Sequence, residues 1–174
     1  MSGWLEQEAQ RMEALHRLKI LDTPPEQRFD QITSAAQRSY GVEFAIFSIV
    51  DAHRQWFKSV DGRAIPAETP RSVAFCDHAI RQDGVFVIPD ALRDPRFATN
   101  PLVTGDPRIR FYAGMPIREP SGFKIGTLCL IDSRPRNDGE LDFTLLRELA
   151  KQLENELATD TTPEPALTDR PLGV

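Results

Sequence analysis

The chain has 174 residues, the usual size of one domain, so a single folded core is expected. Hydrophobic residues make up 40% and charged residues 27%, as in ordinary soluble globular proteins, and no apolar run approaches the roughly 20 residues of a membrane span. The net charge of -5, the even scatter of Lys and Arg and the lack of a secretory signal argue against nucleic-acid binding, membrane association and export, and predict a cytoplasmic protein.

Two amphipathic helices are predicted at the start of the chain. Apolar residues recur at near-helical spacing over residues 5–20, with charged residues between them. Thr23, followed three residues later by Glu26, has the pattern of a capping box, which predicts a second helix that runs to about Tyr40. Gly41 is the expected stop, because glycine readily adopts the left-handed conformation at a helix end.

Runs of β-branched and aromatic residues predict the strands. Residues 42–50 form the expected central strand, because both alternating sets are mostly apolar and both faces of the sheet should therefore be covered. Residues 55–60 would return from it as a hairpin. Residues 85–88 are typical of a short strand, and residues 109–117 and 123–131 of an antiparallel pair.

Connections and short helices account for the segments between strands. Residues 63–70 have the composition of a loop, and Ser72 can cap a short helix over residues 73–81. Residues 90–107 are rich in Asp and Pro, which indicates a long connection with short helical turns. Ordered connections of this length are usually functional, so this one is a candidate lid over the core.

The last helix, over residues 140–158, carries two apolar stripes. One has the spacing of a coiled-coil seam and consists of Phe143, Leu146, Ala150, Leu153 and Leu157, and the other consists of Leu141, Leu145 and Leu149. We expect one stripe to pack on the sheet and the other to remain available to a partner helix. Residues 159–174 contain three prolines and few large apolar residues, which predicts a disordered tail.

Together these elements predict an α+β fold for residues 1–158. An antiparallel sheet of five to six strands would lie at the centre. The terminal helices would cover one face, and the loops and short helices would cover the other.

The sequence lacks the motifs of common enzymes and metal sites. His16, His53 and His78 have no spacing that gathers metal ligands, so no metal site is predicted. Cys76 and His78 are two positions apart, which on a helix separates their side chains by about 200° and prevents a local dyad. Phosphate-binding glycine loops and a nucleophile elbow are missing. Cys76 and Cys129 lack CxxC spacing and are predicted to be buried thiols in a reducing compartment.

Three polar residues, Ser48, Tyr112 and Thr127, lie on predicted strands among apolar neighbours. A buried hydroxyl costs free energy unless it makes a hydrogen bond. A bound ligand would satisfy these groups, and so would a backbone carbonyl or a water molecule. The residues alone leave both alternatives open.

Five segments occur in an order that resembles the GAF family of small-molecule sensor domains. They are Leu21–Glu26, Arg54–Ser59, Phe75–Ile80, Arg110–Gly114 and Gly126–Asp132. The resemblance covers residues 15–157. It implies a profilin-like central antiparallel sheet, a pocket between one sheet face and the variable loops, and homodimers formed through the N- and C-terminal helices.

The resemblance also indicates where the pocket would lie in this sequence. With Ser48 added from the argument on buried hydroxyls, the predicted ligand-binding residues are Ser48, Trp56, Phe75, Cys76, Ala79, Phe97, Tyr112, Thr127 and Cys129. Neither the ligand nor a cofactor follows from the resemblance.

Three functions are compatible with this sequence. The leading interpretation is a non-catalytic sensory domain of bacterial signal transduction, in which a small molecule shifts the packing of terminal helices in a dimer and acts on a separate effector. The first alternative is a thiol reductase that uses Cys76 or Cys129 on a small oxidised substrate such as free methionine sulfoxide, although that branch of the family relies on a larger set of cysteines. The second is a pure dimerisation module with a filled core.

Overall fold

The computed structural model describes residues 2–159 of the chain. Its helices are α1 (Ser2–Leu18), α2 (Gln27–Tyr40), α3 (Phe75–Ala79), α4 (Pro101–Thr104) and α5 (Thr144–Thr159). Its strands are β1 (Phe44–Val50), β2 (Arg54–Asp61), β3 (Glu68–Pro70), β4 (Phe86–Ile88), β5 (Phe111–Arg118) and β6 (Lys124–Asp132). The predicted tail over residues 159–174 lies outside the described residues, apart from Thr159, which ends α5.

The six strands form one antiparallel sheet in the order β3-β2-β1-β6-β5-β4. The predicted α+β class and the number of strands are therefore confirmed. The segment predicted as a loop over residues 63–70 contains the edge strand β3, which pairs with residues 54–56 of β2. A strand of three residues that ends in proline has no readable period, so only its pairing with β2 identifies it.

β1 lies inside the sheet, and all seven of its residues are buried. Ala45, Phe47 and Ile49 belong to the core beneath the long helices, whereas Phe44 and Ile46 belong to a second core on the opposite face. Because successive side chains of a strand point to opposite faces, this division confirms that both faces of the sheet are covered.

The three long helices, α1, α2 and α5, cover the first face. Leu15 of α1, Phe29 and Ala36 of α2 and Leu153 of α5 are fully or almost fully buried in one cluster with the strands. Gly41 ends α2 in the left-handed conformation, with a φ of 62°, as the sequence predicts. The terminal helices therefore lie on the same side of the sheet.

The predicted coiled-coil seam of α5 is part of this intramolecular core. Leu146, Ala150, Leu153 and Leu157 are buried within the chain, and Leu145 of the second stripe is exposed by 37%. The stripe that packs on the sheet is therefore the one with coiled-coil spacing, because a helix packed on a sheet needs nearly the same 3,4 spacing of apolar residues as a coiled coil. Contact of the other stripe with a partner helix stays a prediction.

The start of α2 also differs from the prediction. α2 begins at Gln27, and its N-cap is Glu26 rather than Thr23. The Thr23 hydroxyl donates to the Ile20 carbonyl and accepts a hydrogen bond of 2.7 Å from Lys58 Nζ. The buried ammonium group of Lys58 therefore binds the Thr23 hydroxyl, which is then not available to cap the helix. The segment around Thr23 remains a linker.

Short helices and turns cover the second face of the sheet. In place of the single helix predicted over residues 73–81, the chain forms a 3-10 turn at Arg71–Val73 followed by the shorter helix α3. Ser72 is the N-cap of neither. The long predicted connection contains a 3-10 turn and α4, which are capped by the side chains of Asp90 and Asn100. This layer is thus built from short ordered pieces that lie against the sheet.

Candidate functional site

A cavity of about 130 Å³ lies between the second sheet face and the connections that cover it. The cavity is lined by Phe44, Ile46, Gln55, Phe57, Ile65, Pro66, Thr69, Phe75, Cys76, Leu102, Asp106, Pro107, Ile109, Tyr112, Cys129 and Ile131. Five strands, the helices α3 and α4 and the connections next to β3 and α4 contribute to this wall. The protein therefore has open space on the sheet face where the sequence predicts a pocket.

Most of the cavity wall is apolar, with aromatic side chains such as Phe44 and Phe75. Gln55, Thr69 and Asp106 supply polar side-chain groups. Among the described lining residues, none is Lys, Arg or His. An apolar wall with a few polar groups is the usual composition of a small-molecule site.

The side-chain amide of Gln55 is only partly satisfied. Its Nε2 donates to Thr69 Oγ1 over 3.1 Å, but its Oε1 is buried and has no hydrogen-bond partner within residues 2–159. A buried polar atom without a partner costs about 1–3 kcal/mol. Gln55 lines the cavity, so a bound group that reaches this oxygen would gain a hydrogen bond.

Two buried thiols also line the cavity. The Sγ atoms of Cys76, on α3, and Cys129, on β6, lie 4.0 Å apart and are not joined in a disulfide. Tyr112 Oη and Thr127 Oγ1 donate hydrogen bonds of 3.2 and 3.1 Å to Cys76 Sγ. The prediction of buried free thiols is confirmed, and the structure adds that the two thiols are neighbours.

The donors around Cys76 control its ionisation. Burial opposes the thiolate, but hydrogen bonds from Cys129, Thr127 and Tyr112 outweigh burial and lower the pKa of Cys76 from 9.0 to about 7. The hydrogen bond with Cys76, together with burial, raises the pKa of Cys129 well above 9.0. Burial and the charge of Cys76 raise the pKa of Tyr112 well above 10.0. Cys76 is therefore the group in this cluster that ionises first.

Ser48 and Gly114 complete the surroundings of the thiols. Ser48 is fully buried and lies opposite Thr127 in the pairing of β1 with β6. Its hydroxyl is buried and makes no hydrogen bond with the described residues. Gly114 leaves room for Tyr112, because a Cβ atom at this position would collide with Tyr112 Oη.

The structure brings most of the predicted ligand-binding residues together around the cavity. Phe75, Cys76, Tyr112 and Cys129 line it. Thr127 lies behind the wall and donates to Cys76, as described above. The role of these residues in binding a ligand remains a prediction.

Three other predicted residues lie away from the lining. Phe97 stacks on Phe75 with a distance of 4.2 Å between ring centroids, and Ala79 is buried in the same cluster, so both support the wall from behind. Trp56 belongs to the core beneath the long helices. Along β2 it alternates with Gln55 and Phe57, which line the cavity, so its side chain lies on the other face of the sheet.

Sequence reasoning missed several lining residues. Gln55 and Phe57 lie in the Arg54–Ser59 segment of the family resemblance, and strand alternation places these two side chains on the same face of the sheet. Ile65, Leu102 and Asp106 lie in connections, where apolar and polar residues have no period. For these three residues the sequence carries no local signal.

Within residues 2–159, no group of three or more His, Cys, Asp and Glu side chains is gathered as metal ligands. In the same part of the chain, no helix combines the length and the apolar character needed to cross a membrane.

Comparison with known proteins identifies the family. Residues 24–157 match the family model described as GAF domain. The chain belongs to the GAF domain family. The solved GAF domain of an Acinetobacter phosphoenolpyruvate-protein phosphotransferase has a TM-score of 0.61 at 15% identity, covering 94% of this chain and 98% of that chain. The predicted resemblance is thus confirmed.

Two further relatives of this GAF domain carry functional names. The cyclic di-GMP phosphodiesterase PA2567 of Pseudomonas aeruginosa is 41% identical over 147 residues, which is 84% of this chain and 25% of that protein. The chain therefore spans a quarter of the length of this curated relative. A free methionine-R-sulfoxide reductase from Neisseria meningitidis, solved with its substrate, has a TM-score of 0.60 at 20% identity and covers 76% of this chain and 77% of that chain, a likeness that shows the fold alone. Membership of the family supports a sensory or regulatory role.

Proposed function

We propose that this GAF domain is a non-catalytic sensory domain of bacterial signal transduction in the cytoplasm, and that it binds a small molecule in the cavity. The observation that carries the proposal is the unpartnered Oε1 of Gln55 in an otherwise apolar, partly enclosed space. A core that served only to hold the fold together would gain stability from filling this space and satisfying this atom. A ligand that fills the space and bonds to the Gln55 oxygen would gain this free energy on binding.

Arg71 offers a route from the cavity to the helical face. Its Nη1 lies 2.7 Å from the Glu8 carboxylate of α1, and its Nε lies 3.0 Å from the Asp77 carboxylate of α3. Asp77 directly follows Cys76, which lines the cavity. A ligand that favours one position of α3 would therefore bias the position of α1 through this ion-paired bridge, by as much as its affinity differs between the two arrangements.

The terminal helices would pass this change to a second copy of the chain and to a signalling effector. Leu5 on α1 is 63% exposed and Leu145 on α5 is 37% exposed, which supports a homodimer contact on these helices. Sedimentation of the wild type at micromolar concentration should report a dimer, and Leu5→Glu should shift it toward monomer. Leu92→Glu is the control, because Leu92 is 49% exposed but lies outside the terminal helices. A monomeric wild type would overturn this part of the proposal.

Native mass spectrometry of the purified protein, before and after incubation with a small-molecule extract, tests ligand binding. Leu102 lines the cavity, and Leu102→Trp should fill the space and abolish any bound mass. Leu92→Trp places the same bulk outside the cavity and should retain the ligand. A wild-type protein that takes up no compound, or an equal uptake by Leu102→Trp, would overturn the proposal.

A thiol reductase is the second candidate, and the 4.0 Å separation of Cys76 and Cys129 favours it. In such a reaction the two thiols and a sulfoxide would give a disulfide, a thioether and water, so that two electrons pass from the cysteines to the substrate. A dithiol reductant would then restore both thiols. Against free methionine sulfoxide as substrate, the described cavity lining has no cation to bind its carboxylate.

Turnover of free methionine sulfoxide with dithiothreitol decides between the two candidates. The sensory proposal expects no consumption above the background without protein. Consumption that disappears in both Cys76→Ser and Cys129→Ser would establish the reductase instead. A reaction that survives both substitutions would not come from this pair of thiols.

A further inference from the structure

We infer that the ligand of this cavity is an uncharged compound about the size of one aromatic ring, with one hydrogen-bonding group that pairs with Gln55, and that phosphorylated compounds are excluded. The inference rests on the proposed function and names the chemical class of the ligand. Three features of the cavity carry it: its volume, the charges around it and the single unpartnered amide oxygen.

The volume limits the ligand to a small compound. The cavity measures about 130 Å³. An apolar engineered cavity of about 150 Å³ holds one benzene molecule, whereas pockets for drug-sized ligands measure about 300–1,000 Å³. A single ring with one small substituent therefore fits, and a nucleotide does not fit without outward movement of the connections.

The charges around the cavity oppose an anion. Asp106 places a carboxylate at the wall, and Cys76 supplies a thiol with a lowered pKa. Arg63 contacts the lining residue Asp106, and its guanidinium is paired with the Asp106 carboxylate at 2.9 Å and with the Glu43 carboxylate at 3.4 Å. Arg110 donates through Nη1 to two backbone carbonyls. None of the described lining residues is a cation, so a phosphate group would lose its hydration without gaining an ion pair in the wall.

A cationic ligand is not favoured either. Asp106 is the carboxylate among the described lining residues, and its side chain is 75% exposed to solvent and already paired with Arg63. A charge pair in this position is screened by water and contributes little to binding. The apolar part of the wall, which includes Phe44, Ile46 and Phe75, favours the binding of an uncharged ring through the burial of apolar surface.

Gln55 supplies the polar contact for such a ring. Its Oε1 has no partner, whereas its Nε2 is bonded to Thr69 Oγ1 at 3.1 Å. The Thr69 hydroxyl can both donate and accept, so one polar atom of the amide stays unpartnered whichever way the amide is turned. A hydroxyl on the ligand can donate to the oxygen or accept from the nitrogen, and therefore satisfies the amide in both orientations.

Three probes that share one ring test the inference: toluene, phenol and phenyl phosphate. Protein NMR titrations of the wild type, Gln55→Met and Arg63→Gln give the affinity of each. We expect phenol and toluene to bind, with phenyl phosphate giving no saturable shift of the cavity residues. Gln55→Met should lower the ratio of phenol affinity to toluene affinity by about two- to tenfold, the effect of one hydrogen bond, and Arg63→Gln should leave the ratio unchanged.

The outcomes separate the ligand class from the proposed function. Phenyl phosphate binding more tightly than phenol, with loss in Arg63→Gln, would overturn the ligand class but keep the cavity as a binding site. A phenol-to-toluene ratio that is the same in Gln55→Met and in the wild type would also overturn the ligand class. If none of the three probes binds, the ligand class is overturned, and uptake from the small-molecule extract in native mass spectrometry decides separately whether the proposed function stands.

Discussion

Tyr112 Oη donates a hydrogen bond of 3.2 Å to Cys76 Sγ and thereby joins β5 to α3 at the wall of the cavity. The hydroxyl lies where a side chain on Gly114 would collide with it, so the glycine allows Tyr112 to reach the thiol. The same sulfur accepts from Thr127 on β6. The ionisation of Cys76 on α3 therefore depends on hydrogen bonds from two strands, β5 and β6.

Removing this donor should raise the pKa of Cys76. In Tyr112→Phe the thiolate loses one of the hydrogen bonds that lower its pKa to about 7, so its alkylation by iodoacetamide should require a higher pH. Gly114→Ala should act in the same direction by displacing the Tyr112 hydroxyl. Rates for each cysteine follow from peptide masses measured across a pH series. Tyr40→Phe is the control, because the Tyr40 hydroxyl contacts the start of α5 and not the thiols. A pH profile of Tyr112→Phe identical to that of the wild type would contradict the assigned role of Tyr112.

Glu8 should make stability depend on acid pH. Burial raises its pKa, but hydrogen bonds from Arg11 and Arg71 outweigh burial and lower the pKa from 4.5 to about 2. Because the folded pKa is depressed, the contribution to stability is complete above about pH 4.5 and is lost as the pH falls through about 2. Glu8→Gln should lower the free energy of unfolding at neutral pH by about 1–2 kcal/mol and flatten its decline in this window.

Urea denaturation at a series of pH values measures this effect. The exposed Glu6→Gln on the same helix is the matched control and should follow the wild type. If Glu8→Gln declines with acid as steeply as the wild type between pH 4.5 and 2, the Arg11 and Arg71 contacts do not set the acid stability.

Lys58 should be a strong determinant of stability although it is a charged residue. Its side chain is fully buried, and Nζ lies 2.7 Å from Thr23 Oγ1, 2.6 Å from the Pro24 carbonyl and 2.8 Å from the Glu26 carboxylate. Lys58→Met leaves these groups without their donor, so we expect a loss of about 2–4 kcal/mol in chemical denaturation. Arg93→Ala, at a side chain that is 88% exposed, should cost less than about 1 kcal/mol. Equal effects of the two changes would contradict the buried role of Lys58.

Leu153 and Leu145 provide a matched pair on α5. Leu153 is fully buried, so Leu153→Ala should lower the free energy of unfolding by about 2–5 kcal/mol through lost burial and a new cavity. Leu145 is 37% exposed, and Leu145→Ala should cost less than about 1 kcal/mol. Thermal or urea denaturation compares them. A mild effect of Leu153→Ala would mean that α5 does not pack on the sheet as described.

Local sequence signals predicted the elements that depend on neighbours along the chain. The helical stripe with Phe29 and Ala36, the stop at Gly41 and the two-sided strand β1 were all readable, because a period of 3.6 or 2 is set within a single element. Thr23 shows the limit of this approach. Its capping pattern is complete in the sequence, yet Lys58, 35 positions away, binds the hydroxyl.

The family, the fold class and the order of the main elements can be predicted from the sequence, because they follow from periodicity and from short segments in a fixed order. The contact of Cys76 with Cys129, the position of Gln55 in the cavity wall and the position of Trp56 on the other face are seen only in the folded chain. Strand alternation states which residues share a face but not which face is hollow. That choice is made by connections far along the chain, whose side chains close over one side of the sheet and leave space there.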